Sequence, residues 1–203
     1  RREFCEHNGI DINRRLTGGG GILFQESALG WEIFGPSGSR PFRGKFEAIL
    51  NRICSIATDG ISRLGVPAKF RPRNDIEIHG RKISGTGGVA ISGAMMFQGT
   101  ILIENQIDRF LKALRVPVEK LKKREIESLM DRVCFLNDLL DPSPTLDQIK
   151  RALVGEFAYQ LDAQFFESGL TERESERLKN ELANFQSSSW IGSKSRPKNE
   201  SES

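Results

Sequence analysis

The sequence predicts an α+β protein built on a mainly antiparallel sheet flanked by helices, and three observations carry that reading. Segments alternating apolar and polar residues cluster before Glu104, whereas after it apolar residues recur every three to four positions. One long amphipathic stretch, residues 41–64, interrupts the first group. Strands gathered early and helices gathered late do not supply the alternating strand–helix units of a parallel sheet. The 203 residues suit one catalytic-sized domain with an appendage, at ~150 residues per domain.

Ile10-Asp11-Ile12-Asn13-Arg14 alternates and reads as a strand running into Thr17 and the consecutive glycines Gly18, Gly19, Gly20 and Gly21. Residues 22–24 and 29–34 read as further strands, with a loop over 35–39. Phe46, Ile49, Leu50, Ile53, Ile56, Ala57, Ile61 and Leu64 have helical spacing. They predict a helix of about six turns, with Pro41 near its start and Gly65 at its end. Asp75-Ile76-Glu77-Ile78 alternates, turns at His79-Gly80 and returns through Arg81-Lys82-Ile83-Ser84 as a hairpin. A glycine-rich stretch follows, and then a strand over 99–104.

Helical spacing covers 107–114, 124–140 and 146–161, with Pro142 and Pro144 breaking the chain before the third. Thr171 and Glu174 have capping-box spacing for a last, charged helix. Residues 187–203 have little to bury and are expected to be disordered. The expected division is a core over 1–161, a C-terminal helix over 162–186 and a tail over 187–203.

Hydrophobic residues make up 37% and charged residues 28%, enough to bury a core. No run reaches the ~20 apolar residues of a membrane span, and no signal-peptide stretch opens the chain, so a cytoplasmic address is expected. Cys5, Cys54 and Cys134 are an odd, widely spaced set, neither a disulfide framework nor a metal cluster. His7 and His79 form no HExxH pair and stand near no nucleophile elbow, which argues against a zinc centre and a Ser-His-Asp triad. The net charge of +3 is uneven. Residues 40–73 hold Arg40, Arg43, Lys45, Arg52, Arg63, Lys69, Arg71 and Arg73 against Glu47 and Asp59. That local field favours an anionic partner, although a solvated helix face would look similar.

Arg14-Arg15 ahead of the glycines is an arrangement that can hold an anion, because glycine exposes its N–H and arginine adds charge-assisted donors. A flexible turn would carry the same residues. Known nucleotide motifs fail: Gly44-Lys45 is followed by Phe46, where a P-loop needs Ser or Thr. Gly85-Thr86-Gly87-Gly88-Val89-Ala90 fits G-x-G-x-x-A, but no helix start follows it. Lys82 lies just past a tight turn with small residues downstream, which leaves room for a ligand above it. In isolation it would read as a surface lysine.

Taken in order, these motifs resemble the lipoate–protein ligase A family of the biotin/lipoate protein ligase superfamily. Arg14-Arg15-Leu16-Thr17-Gly18-Gly19-Gly20 is similar to the family's Arg-Arg-x-Ser/Thr-Gly-Gly-Gly signature. Arg73-Asn74-Asp75-Ile76 with Gly80-Arg81-Lys82-Ile83-Ser84-Gly85 resembles its second signature, and Gln98-Gly99-Thr100 its His/Gln-Gly-Ser/Thr strand. The similarity runs from about residue 3 to residue 161. Phe24-Gln25 departs from the family's frequent His-Asp, and Thr86-Gly87-Gly88 from its Ser-Ala-Gln-like stretch.

The resemblance implies a biotin/lipoate protein ligase-like core that forms lipoyl-adenylate from ATP, with Mg2+, and lipoate or octanoate. Lys82 would be the catalytic residue, on the phosphate and carbonyl oxygens. Arg15 and the Gly18, Gly19, Gly20, Gly21, Ile22 and Leu23 loop would hold phosphates, with Asn74 and Asp75 completing the site and Asp75 meeting the metal. The partner implied is an acceptor lipoyl domain: a 2-oxoacid dehydrogenase subunit, or a glycine-cleavage H-like or lipoate-binding protein. A separate accessory-domain protein is a second partner; nucleic acid and membrane are not expected. The resemblance also implies an N-terminal segment, holding part of the acyl pocket, that is not in this sequence.

Two rival readings stand beside it. A cysteine-dependent octanoyl or lipoyl transferase of the same superfamily needs a thiolate in the site. The matching position, near Lys69-Phe70, has no cysteine, and Cys134 lacks a Pro-Cys-Gly setting, so none of the three cysteines is expected to be catalytic. The other rival is a non-catalytic binding or assembly protein, or an inactive fragment.

Overall fold

The computed structural model describes residues 1–114 and 131–193, which fall into two units. Gly19–Phe165 forms the larger one, and Arg1–Gly18 with Phe166–Ser203 the smaller. The larger unit is a five-stranded sheet made of β1 (Leu29–Pro36), β2 (Ala68–Arg71), β3 (Asp75–Ile78), β4 (Arg81–Ile91) and β5 (Ala94–Ile101). The order is β1-β5-β4-β3-β2, and every pairing is antiparallel. The expected antiparallel sheet with flanking helices is what forms.

One face of the sheet is packed. Helix α2 (Phe46–Ser62) buries Ile49, Ile53, Ile56, Ala57 and Ile61, the stripe set by its apolar spacing. Ile76, Ile78, Ile83, Phe97 and Ile101 join the same core from the strands, with Trp31 packed at its edge against Phe157. Phe42 and Phe46 both close on Phe97, with ring centroids 6.1 and 5.3 Å away. Helix α5 (Leu146–Leu161) has the capping box of Thr145 and Gln148 and lies across α2 at Gly60, where a β-carbon would come 3.2 Å from Leu153 Cα. Gly99 is required in the same way: a β-carbon there would meet the Trp31 indole at 2.6 Å. Between β5 and α5 lie α3 (Ile107–Ala113) and the one-turn α4 (Leu136–Leu139).

Several expected elements change. Residues 10–14 and 22–24 are irregular rather than strands. The Ile10 amide is spent closing the unforeseen helix α1 (Arg2–His7), donating to the Cys5 carbonyl. Helix α2 begins at Phe46, not near Pro41, because Gly44 takes φ 125° and turns the chain ahead of it. The glycine-rich stretch is the middle of β4, and β5 begins at Ala94 instead of residue 99. Residues 131–135 are non-helical, Val133 bridging Lys82 in parallel, and residues 124–130 of that expected helix lie outside the described residues.

In the smaller unit, α6 (Glu172–Phe185) has the expected Thr171–Glu174 capping box. A short α7 (Ser188–Gly192) stands where a structureless tail was expected. Trp190 accounts for it, packing edge-on against Phe185 and donating its indole N–H to the Arg14 carbonyl. Among the described residues no helix is long and apolar enough to cross a membrane.

Candidate functional site

The core of α2 packs on one face of the sheet, and strand register decides what stands on the other. Arg71, Asp75, Gly85, Thr100 and Gly30 are successive Cα partners across all five strands, forming one row. Gly87, Gln98 and Glu32 form the next row toward the β4–β5 hairpin. Two glycines of β4 thus leave a low floor in its middle.

A β-bulge determines how Lys82 relates to that floor. Ile76 pairs with Ser84 but Glu77 pairs with Lys82, so Ile83 is an extra residue. Ile83 and Ser84 consequently both face the core, fully buried. Lys82 and Gly85 both face the open side. Without the bulge the register set by the His79-Gly80 turn would bring Ser84, not Gly85, opposite Asp75. The Lys82 side chain runs over Gly85, where a β-carbon would lie 3.1 Å from Nζ, and its ammonium stands 2.6 Å from Asp75 Oδ1. Its backbone is fixed from the other side: the Lys82 N–H donates to the Arg132 carbonyl at 2.8 Å, and Cys134 N–H donates to the Lys82 carbonyl at 2.9 Å.

Asp75 has a second cation. Arg71 Nη2 lies 2.5 Å from Oδ2, and the same guanidinium reaches Glu77 Oε1 through Nε at 2.7 Å. In the sequence Arg71 is one of the basic residues of 40–73, with no mark of its place beside Asp75. The available signal was its spacing: Arg71 and Asp75 close a turn whose Arg73 takes φ 101°. Asn74 is exposed, and its carbonyl accepts from the Thr86 N–H and hydroxyl at 2.8 and 3.0 Å. Thr86 in turn accepts from the buried Cys54 thiol. Burial pushes the thiols of Cys54 and Cys134 above their ordinary range.

The other expected site residues divide between the units. Arg15 and Gly18 belong to the smaller one, where Arg15 donates to Thr17 Oγ1 at 3.1 Å and to the Gly18 carbonyl at 2.9 Å. Gly19, Gly20, Gly21, Ile22 and Leu23 belong to the larger. Gly19 takes φ 115°, a backbone that only glycine adopts without strain, and Gly21 lies against Leu114. Phe24 covers Gly30 on the open face. Lys82 and Asp75 are thus brought together with Asn74 adjacent.

Both oxygens of Asp75 face cations, so a divalent ion does not fit there without displacing Lys82 or Arg71. Among the described residues no group of three or more His, Cys, Asp or Glu side chains could hold a metal ion.

A model of the lipoyl protein ligase A/B catalytic domain matches residues 1–158. The chain belongs to that family. Lipoate-protein ligase LplJ of Bacillus subtilis is 29% identical over 152 residues, which cover 75% of this chain and 44% of the relative. The chain therefore spans less than half the length of that curated protein. Octanoyltransferase LipM of Moorella thermoacetica is also similar, at 22% over 208 residues, covering 93% of this chain and 76% of the relative.

Solved ligases share the fold. The bipartite lipoate protein ligase of Thermoplasma acidophilum, described with its E2 lipoyl domain, superposes at TM-score 0.85 with 23% identity, over 98% of this chain and 77% of that one. A lipoate-protein ligase A bound with ATP superposes at 0.77 with 22% identity, over 94% and 75%.

Proposed function

We propose that the chain is the core of an ATP-dependent lipoate–protein ligase, which joins lipoate or octanoate to AMP and passes the acyl group to a lysine of an acceptor lipoyl domain. One observation carries this reading: an ammonium held at the edge of a glycine-floored open face. The acid's carboxylate attacks the α-phosphate of ATP, pyrophosphate leaves, and the acceptor's amine then attacks the mixed anhydride. Positioning and charge stabilisation suffice for both steps, since the anhydride supplies the driving force. Lys82 meets the oxygens on which charge accumulates, and the Arg15 and Gly18–Leu23 segment holds phosphates. Magnesium would accompany ATP as the counter-ion of the triphosphate and not through Asp75, whose two oxygens are held by Lys82 and Arg71. The fit to ATP-bound and bipartite ligases supports the nucleotide, an acceptor lipoyl domain and a separate accessory protein as partners.

Octanoyl transfer through a cysteine is the second reading, prompted by the similarity to LipM. The structure disfavours it: Cys5, Cys54 and Cys134 are all buried, and burial holds two of the thiols protonated. The test is lipoate-dependent ATP–pyrophosphate exchange by the complete gene product, with octanoate and biotin as comparisons and the acceptor's intact mass as the second readout. Exchange with lipoate or octanoate supports the ligase. Transfer from an octanoyl thioester without ATP overturns it.

A further inference from the structure

We infer that Arg71 is a positioning residue for Lys82, acting through Asp75 and by holding Glu77 away; this rests on the ligase reading for its activity test. Lys82 has two carboxylates within reach on the open face. Asp75 lies one row along the sheet, across Gly85, and Glu77 is the Cα partner of Lys82 itself. Nothing in the lysine's own chemistry chooses between them, because an ammonium on a flexible four-carbon stem follows the nearest negative charge.

Arg71 makes the choice. Its fork takes Glu77 through Nε and Asp75 Oδ2 through Nη2, leaving Asp75 Oδ1 for the lysine. The guanidinium holds Asp75 by Oδ2 alone, which leaves Oδ1 to the ammonium over Gly85, where no side chain competes for the space. With Glu77 held by Arg71 and Asp75 shared between Arg71 and Lys82, the ammonium faces only one carboxylate, itself divided between two cations, and is available to an incoming anion. Take Arg71 away and Glu77 is released onto its direct partner. Lys82 would then be drawn off Gly85 toward β3 and matched by two carboxylates.

A plain hairpin clamp between Arg71 and Asp75 is the competing account, and it predicts a change in stability alone. The measurements that separate the two are kcat and KM for lipoate-dependent pyrophosphate exchange by the complete gene product, with melting temperatures alongside. Arg71→Met should lower kcat about tenfold, the scale of a misplaced catalytic group, with KM for lipoate within about twofold. Arg71→Lys should recover most of kcat. The decisive variant is Arg71→Met with Glu77→Gln, which should regain part of the loss because the released carboxylate is gone. Arg71→Gln substitutes for the methionine variant if that protein does not fold.

Wild-type kcat in folded Arg71→Met, or a loss that neither Arg71→Lys nor Glu77→Gln relieves, overturns the inference. If the wild-type protein exchanges no pyrophosphate, the ligase reading is what fails. The positioning is then read without activity, from the carbon-13 signals of reductively methylated Lys82. Two distinct, sharp methyl signals that merge in Arg71→Met support it, and a spectrum unchanged by the substitution overturns it.

Discussion

Gly85 lies directly beneath the ammonium of Lys82: a β-carbon on that glycine would come within 3.1 Å of Nζ and 3.2 Å of Cε. The neighbour that must give way is the far end of a flexible side chain, so the fold should tolerate Gly85→Ala within about 1 kcal/mol. Turnover should not. Displacing the charge by a few tenths of an ångström is expected to lower kcat about threefold to tenfold. Steady-state rates beside a thermal melt check this, and an unchanged kcat would show that Lys82 reaches its working position by another path.

Removing the lysine itself tests the site more severely. Lys82→Ala should cost ~3–4 kcal/mol of transition-state stabilisation, on the order of a hundredfold to a thousandfold in rate. Its ion pair with Asp75 is partly exposed, so the stability change should stay within about 1 kcal/mol. Lys82→Arg should recover little, since a planar fork cannot occupy the same point over Gly85. A folded alanine variant with near-normal lipoylation would remove Lys82 from the mechanism.

The cysteines should prove dispensable to the chemistry. Cys54 and Cys134 are buried with thiols pushed up by that burial, and Cys5 is buried beside them in kind though not in place. Native protein at neutral pH should alkylate slowly, and a folded variant with serine at all three positions should retain acyl transfer from preformed adenylate. Isolation of a thioester on any one of them would redirect the assignment to a transferase.

Glu156 supplies a pH-dependent contribution to stability far from the site. It is buried on α5, accepting from Gln160 Nε2 at 2.7 Å and from Arg63 Nε at 2.9 Å, and these bonds lower its pKa below the ordinary carboxylate value. A lowered native pKa stabilises the fold above the unfolded value, near 4.3 for Glu, and the contribution fades as pH falls through the native one. Glu156→Gln should therefore lower the melting temperature by about 2–4 °C at pH 7, with the difference shrinking toward zero below pH ~4. A difference independent of pH would assign the effect to packing.

What could be read from the sequence was set by local rules. Helix α5 appears with the expected bounds because its apolar spacing and the proline break before it agree. The Thr171 capping box forms because it needs only four residues. The hairpin at His79-Gly80 was legible for the same reason, and so was the neighbourhood of Lys82. What could not be read depended on partners distant in the chain. Period two places Ser84 outward and Gly85 inward, and the bulge at Ile83 reverses both. Gly88, one of the small residues downstream of Lys82, lies against Phe97 on the packed face and not under the ammonium. Arg71 and Glu77 looked like ordinary surface charges, since the register that aligns them with Asp75 and Lys82 is a property of the sheet.

The hydrogen bonds that Lys82 makes with Arg132 and Cys134 set an order of assembly during synthesis. Chains emerge N-terminus first, and folding of early segments runs ahead of later ones. The hairpin carrying Lys82 can pair with β5 as soon as β5 has left the ribosome, yet the lysine's own N–H and carbonyl find their final partners only after α3 and the segment beyond it have followed. A nascent chain stopped short of Arg132 would hold nearly the whole sheet while its lysine still lacked those two anchors. The backbone of Lys82 would then be anchored later than the sheet that carries it.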